Sequence, residues 1–239
     1  MAEDVVLLHG FGGTHRAWDG VVGILDHERY RPLALDLPGH GTEADAPRPI
    51  SFDGCIEHVL ARSPGRFALC GYSLGGRVAL HVALAAPGRV ERLLLIGVNP
   101  GVEDEDERAA RRRSDSALAD DLEQRPYEEF VERWRTQPLF AADPPEVGAL
   151  ARADQRRNRP DALAAAMRGL GVGEMQPLWD HLGELSMPVT ALVGERDEKF
   201  RALGQRMVEL LPDGRLVVAP GGHGLPLENP GAVAEAVVG

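Results

Sequence analysis

Lysine is almost missing from this chain: of 26 basic residues only Lys199 is lysine, and all the others are arginine. Acidic residues number 37, which leaves a net charge of −11. So acidic a chain lacks the basic surface that general nucleic-acid binding requires. Cysteine is nearly absent too. Cys55 and Cys70 alone supply neither a disulfide framework nor a cluster of thiolate ligands, so no metal site is expected. No apolar run approaches the roughly 20 residues of a membrane-crossing helix, and no membrane insertion is expected. The N-terminus has no basic start followed by a long apolar core, which argues against a secretory signal. Internal repeats and low-complexity segments are lacking as well. These absences together predict a cytoplasmic protein; a monomer or small homo-oligomer is expected, though no sequence feature sets the oligomeric state.

What is present is 239 residues, 44% of them hydrophobic, enough for one α/β domain with an inserted cap. Asp4-Val5-Val6-Leu7-Leu8 reads as a buried strand and leads into the flexible His9-Gly10-Phe11-Gly12-Gly13 turn. Residues 18–25 are expected to be helical. Residues 30–35 form a second strand with a proline near its start, followed by the turn-rich Asp36-Leu37-Pro38-Gly39-His40-Gly41 loop. Ser51 is a fitting cap for a helix over 51–61. Residues 67–70 and 92–97 read as strands on either side of a helix that Pro87-Gly88 stops. Alternation of this kind implies right-handed crossovers and a parallel sheet covered on both faces. It stops between residues 100 and 183, where arginine-rich and acid-rich helices over 108–118, 127–135, 145–157 and 161–169 are expected, and resumes with strands over 188–193 and 215–219. The expected division is a core of residues 1–99 and 184–239 and a helical cap of residues 100–183.

Gly71-Tyr72-Ser73-Leu74-Gly75 lies between a strand and a helix and matches G-x-S-x-G, the nucleophile elbow. Serine needs a histidine held by a carboxylate to act as nucleophile or base. Ser73, Asp197 and His223 follow one another in the Ser, Asp, His order of this turn's known partners, each just beyond a strand. Glu195 and Glu198 compete with Asp197, and their alternative is a solvated loop. His9 and His40 compete with His223 and are read instead as structural hydrogen-bonders. The remaining histidines, His15, His27, His58, His81 and His181, are assigned to the surface. An oxyanion hole would take one amide from Leu74 and another from the loop after the first strand, at Phe11.

His9-Gly10-Phe11, the loop of residues 36–41, the elbow and Gly222-His223 resemble the α/β-hydrolase superfamily over nearly the whole chain. The leading strands of that superfamily are then expected to be absent or very short, leaving about six main strands. Four segments carry a narrower resemblance: residues 71–77, 134–140, 158–167 and 194–203 are similar to the 2-succinyl-6-hydroxy-2,4-cyclohexadiene-1-carboxylate synthases of the menaquinone pathway. The resemblance implies an α/β-hydrolase fold, no cofactor, and a lyase in which Ser73, with His223 and Asp197, removes a proton so that pyruvate is eliminated from an enolpyruvyl ether. It also implies a small substrate bearing several carboxylates, met by Arg77 on the elbow helix and by cap arginines. Arg111 is the best match for one of these, with Arg112 and Arg113 as alternatives, and Arg156 for another, with Arg157 as its rival. Tyr72, Trp134 and Phe140 would line the pocket. Two other readings stay open: a carboxylesterase or related serine hydrolase using the same triad, and a non-catalytic binding protein of the same fold.

Overall fold

The computed structural model describes residues 2–239. Its strands are β1 (Glu3–Leu8), β2 (Tyr30–Leu35), β3 (Phe67–Tyr72), β4 (Val90–Ile96), β5 (Val189–Gly194) and β6 (Gly214–Ala219). They form one sheet in the order β2-β1-β3-β4-β5-β6, with every neighbouring pair parallel. The helices are α1 (Asp19–Val22), α2 (Phe52–Arg62), α3 (Leu74–Ala85), α4 (Glu105–Gln124), α5 (Tyr127–Trp134), α6 (Pro145–Gln155), α7 (Pro160–Leu170), α8 (Glu198–Leu210), α9 (Leu225–Glu228) and α10 (Pro230–Val238).

Alternate residues of each strand point to opposite faces of the sheet, and two cores follow from that. Val6, Leu8, Leu69, Leu93 and Leu95 pack with Cys55 and Val59 of α2, Val78 of α3 and Met207 of α8. Val5, Leu7, Ala68, Cys70, Leu94 and Ile96 face the other way and pack with Val21 of α1 and Val233 and Val237 of α10. Covering both faces explains why β1 and β3–β5 read as continuous apolar runs rather than alternating ones. Pro32 sits in β2, paired with Val5, at an edge where its missing N–H leaves no ladder bond unmade.

The chain turns to one side after β1, to reach β2, and to the other side after β3, to reach β4. The carboxyl ends of β1 and β3 are therefore the point at which the strand order reverses, and the crevice above such a point is where open α/β sheets bind ligands. Both the loop of residues 9–14 and the elbow at Ser73 emerge there.

Between β4 and β5 lie α4–α7. Ala119, Leu122, Phe130, Leu163, Ala164 and Met167 give these helices a small core of their own. The expected end of the insertion, residue 183, falls in a segment that packs with the main core through Met175, Leu178, Trp179 and Leu182. Two helices differ from expectation. The one expected over 18–25 is a single α-turn, Asp19–Val22, after a 3-10 turn at His15–Trp18. Gly20 and Gly23 fall in that stretch, and glycine lowers helix stability. Conversely α4 runs over 20 residues, well past both expected ends of 108 and 118. Asp104 caps it by accepting from the Glu107 amide at 2.9 Å, and Glu105, Asp106 and Glu107 suit the positive end of the helix dipole.

Candidate active site

The elbow is a strained turn. Ser73 is the one non-glycine residue with positive φ among the described residues, at φ 51° and ψ −109°. Its amide donates to Ile96 O at 2.9 Å, and its carbonyl accepts from Arg77 N at 3.1 Å. A Cβ on Gly71 would lie 2.4 Å from Gly75 O, and one on Gly75 would lie 2.2 Å from Leu8 O. Both glycines are therefore steric requirements of the turn. The turn leaves Ser73 half-buried at the start of α3, where unpaired amides and the helix dipole favour negative charge.

Asp197 ends the loop after β5 and caps α8, and His223 lies in the loop after β6. His223 Nδ1 donates to Asp197 Oδ2 at 2.7 Å, and both residues are buried. With Nδ1 carrying the proton, Nε2 of the neutral ring presents a lone pair. It is buried and has no hydrogen-bond partner among the described residues. Phe200, Tyr72 and Phe140 surround the imidazole, with ring centroids 4.5, 5.3 and 6.0 Å away. No hydrogen bond joins Ser73 Oγ to His223 among the described residues. Glu195 and Glu198 are exposed and make no contact of this kind.

The amides of Leu74 and Phe11 are free of protein acceptors among the described residues. They belong to the two chain segments that meet where the strand order reverses. Phe11 is held by ring contacts to Trp134 and His40, at 5.0 and 5.6 Å between centroids.

Ser73, Asp197, Phe11, Tyr72, Arg77, Arg111, Trp134 and Phe140 all line one cavity of about 570 Å³ between the sheet edge and the cap. Arg77 Nη1 donates to Leu170 O at 2.6 Å. Burial, and then the neighbouring Arg111, bring the Arg77 guanidinium down to about 10, still charged at neutral pH. Arg111 Nε donates to Asp115 Oδ1 at 2.8 Å, and Asp115 is buried. One carboxylate thus stands beside two guanidinium groups. Arg112 instead pairs with Glu105, and neither it nor Arg113 lines the cavity.

Arg156 departs from expectation. It lies on the outer surface of the cap, paired with Glu128 and Glu132, and is not among the residues lining the cavity. Its helix end turns Asp154 and Gln155 inward and Arg156 outward. Arg157 is exposed as well, 3.7 Å from Asp154. Lys199 does line the cavity, with no carboxylate within salt-bridge distance among the described residues. Its position two residues beyond Asp197 was a usable signal. Gln137 and Leu139, from the segment of residues 134–140, also line the cavity, as does Asn99, which carries no pattern that would have singled it out.

His9 and His40 are fully buried beneath the site. His9 accepts from Leu37 N at Nε2 and donates from Nδ1 to Gly10 O, at 3.0 and 2.8 Å. His40 Nδ1 donates to Pro38 O at 3.3 Å. Burial first, and then His9, push the His40 imidazole down to about 3, and burial lowers His9 too. Burial alone would raise the nearby Asp36 carboxyl, but hydrogen bonds from Thr42 and His15 bring it to about 2. The histidines have a measurable consequence. Below pH ~6.5 the unfolded chain gains protons that the folded chain refuses, so stability falls as pH falls toward the folded value, by about 1.4 kcal/mol per unit per histidine. Asp36 adds to this only below pH ~4. From pH 7 to 5 the His40→Gln variant should lose about 2 kcal/mol less unfolding free energy than the wild type in urea titrations. Equal losses would mean that His40 takes up its proton in the folded state.

The alpha/beta hydrolase family profile matches residues 5–236. A 2-succinyl-6-hydroxy-2,4-cyclohexadiene-1-carboxylate synthase from Salmonella schwarzengrund is 35% identical, over 99% of this chain and 92% of that protein. A Bacillus subtilis protein that carries the same name provisionally is 34% identical, over 96% of this chain and 86% of its own length. Among solved structures, MenH from S. aureus superposes with a TM-score of 0.90 at 30% identity, covering 99% of this chain and 92% of that one.

Proposed function

The chain belongs to the alpha/beta hydrolase family, and within it to the 2-succinyl-6-hydroxy-2,4-cyclohexadiene-1-carboxylate synthases, lyases of menaquinone biosynthesis; from that membership we propose that Ser73 is the base whose proton abstraction expels pyruvate. The observation that carries this reading is the combination, in one cavity, of a serine on a strained elbow with a guanidinium one helical turn away and an Asp197–His223 pair beside it. The substrate is 2-succinyl-5-enolpyruvyl-6-hydroxy-3-cyclohexene-1-carboxylate.

In the proposed step the Ser73 side chain rotates so that its hydroxyl proton passes to His223 Nε2. The serine oxygen then takes a proton from the substrate. The electron pair of that C–H bond, held first as the enolate of the succinyl carbonyl, forms a ring double bond between C2 and C3, and the existing double bond shifts from C3–C4 to C4–C5. The C–O bond from C5 to the enolpyruvyl group breaks, and the departing enolate takes up, at carbon, the proton released by the His223 imidazolium to become pyruvate, leaving Ser73 and His223 as they began. Asp197 holds the imidazole in the tautomer that can accept and stabilises the imidazolium that forms. Charge developing on the succinyl oxygen is met by the Leu74 and Phe11 amides and the α3 N-terminus. Arg77 and Arg111, sharing only Asp115, bind substrate carboxylates as planar forks. Tyr72, Trp134 and Phe140 exclude water around the reacting carbon.

A coupled assay tests the reading. The substrate is generated enzymatically, this protein is added, and pyruvate is followed. Pyruvate release well above the spontaneous rate is expected. A rate equal to the spontaneous one, together with fast turnover of nitrophenyl esters and a trapped acyl-Ser73, would establish a hydrolase instead.

A further inference from the structure

Phe11 reaches its place through a glycine-rich loop that cannot hold a shape by itself. Gly12 has φ 75°, and Gly13 N closes a turn onto Gly10 O at 3.0 Å. The rest of the restraint comes from the cap, more than a hundred residues away in sequence. Asp154, 8% exposed, accepts from the Thr14 amide through Oδ2 at 2.8 Å and from the Thr14 hydroxyl through Oδ1 at 2.5 Å. Asn158, 6% exposed, donates from Nδ2 to Gly12 O at 2.8 Å and accepts at Oδ1 from Gly41 N at 2.8 Å. The packing is equally close: a Cβ on Gly12 would meet Gln155 Nε2 at 3.1 Å, and one on Gly13 would meet Asp154 Oδ2 at 3.5 Å.

Hydrogen bonds buried in this way are stronger than their exposed counterparts and costly to leave half-made. They bracket Phe11 on its C-terminal side, while His9 and β1 fix it on the other. We propose that Asp154 and Asn158 are positioning residues, through which the α6–α7 corner of the cap holds the loop of residues 10–14 so that the Phe11 amide stays aimed at the developing oxyanion. This rests on the oxyanion role assigned to Phe11 above. Neither residue touches the reacting atoms. Each acts through the loop, and it is because a displacement of about 1 Å can cost on the order of a hundredfold in rate that the restraint matters. It also makes this corner of the cap part of the rigid frame.

The chemistry of the Asp154 contact dictates the variants. Asn in its place can accept from the Thr14 amide and donate to the Thr14 hydroxyl, preserving both contacts. Ala loses both, and Thr14→Val, isosteric, keeps the amide bond but loses the hydroxyl bond to Asp154, together with the cap bond that the hydroxyl accepts from Arg16 N at 3.2 Å. Two measurements are made well below each variant's Tm: kcat and KM for pyruvate release, and the affinity for phenylboronic acid, whose tetrahedral serine adduct places an oxygen where the oxyanion would sit. For Asp154→Ala, kcat should fall roughly 10- to 100-fold with KM within about threefold, and boronate affinity should fall in parallel. Asp154→Asn should recover most of both, and Thr14→Val should sit between. Adding Thr14→Val to Asp154→Ala should lower kcat and boronate affinity no further, the loss of the Arg16 cap bond showing only in Tm. Wild-type kcat and boronate affinity in Asp154→Ala, or a loss confined to KM, would overturn the proposal. Absence of pyruvate release from the wild type would instead count against the lyase reading, and the boronate series would still decide the positioning role.

Discussion

Ser73→Ala is expected to slow pyruvate release by roughly a thousandfold or more, and His223→Ala by a similar factor, because general-base catalysis contributes on the order of 10² to 10⁴ and the two groups act as one unit. The double variant should be little worse than either single one, since each alone removes the same proton-transfer route. Stability separates loss of chemistry from loss of fold. Ser73 is held at φ 51° and ψ −109° by its neighbours, whatever its side chain. Alanine inherits that strain, so Ser73→Ala should unfold within ~0.5 kcal/mol of the wild type, as expected for a small change away from packing and buried-charge effects. Glycine does not inherit it. Ser73→Gly should be more stable by about 1 kcal/mol, the lower end of the usual cost of such backbone conformations, while equally inactive. Near wild-type pyruvate release from Ser73→Ala would remove serine from the mechanism and leave Asp197–His223 as the base. A Ser73→Gly variant no more stable than Ser73→Ala would show that the elbow stores no strain.

The core of this fold was legible because its signals are local and steric. Gly71 and Gly75 are demanded by backbone atoms 2.4 and 2.2 Å from where a Cβ would sit. The inner strands announce themselves because they are buried on both faces, so their runs, such as Leu93-Leu94-Leu95-Ile96 of β4, are apolar. Ser73, Asp197 and His223 could be picked out by order alone because each follows a strand, and strand ends converge. The cap offered no such handle. Of the 20 residues of α4 only Asp115, Ala119 and Leu122 are buried, too few to mark a periodic face, so its ends were misjudged. Arg111 lies within α4 and Arg156 at the C-terminal end of α6, both among charged residues, and only the direction each takes from its helix sends one to the cavity and the other to Glu128 and Glu132. The contacts of Asp154 and Asn158 were unreadable for a further reason. Their partners, Thr14, Gly12 and Gly41, lie more than a hundred residues away and are met only after the cap has folded over the sheet.

Arg77→Ala is expected to lower kcat/KM roughly 10²- to 10³-fold, mainly by raising KM, as truncating one side of a desolvated charge pair commonly costs 2–5 kcal/mol. The argument starts from placement. Arg77 stands one turn beyond the nucleophile, its amide bonded to Ser73 O at 3.1 Å and its Nη1 fixed by Leu170 O at 2.6 Å. Its guanidinium is therefore pre-oriented, with little rotamer freedom left to lose when a carboxylate arrives. The electrostatics point the same way. Burial, and then Arg111, draw Arg77 down to about 10 against the opposing pull of Asp115, so a further negative partner would favour its charged form. Asp115 neutralises one of the two guanidinium groups, and an incoming carboxylate would neutralise the other. Removing Arg77 should then leave the unliganded fold as stable as before, or more so, while weakening the substrate complex. Arg77→Lys restores the charge without the bidentate fork and should recover only part of the loss. Arg156→Ala is the control: its exposed pairing with Glu128 and Glu132 lies outside the cavity, and its rate should remain within about twofold of wild type, as for other surface ion pairs. Unchanged KM and kcat in Arg77→Ala would sink the carboxylate clamp and shift substrate recognition to Arg111 and Lys199.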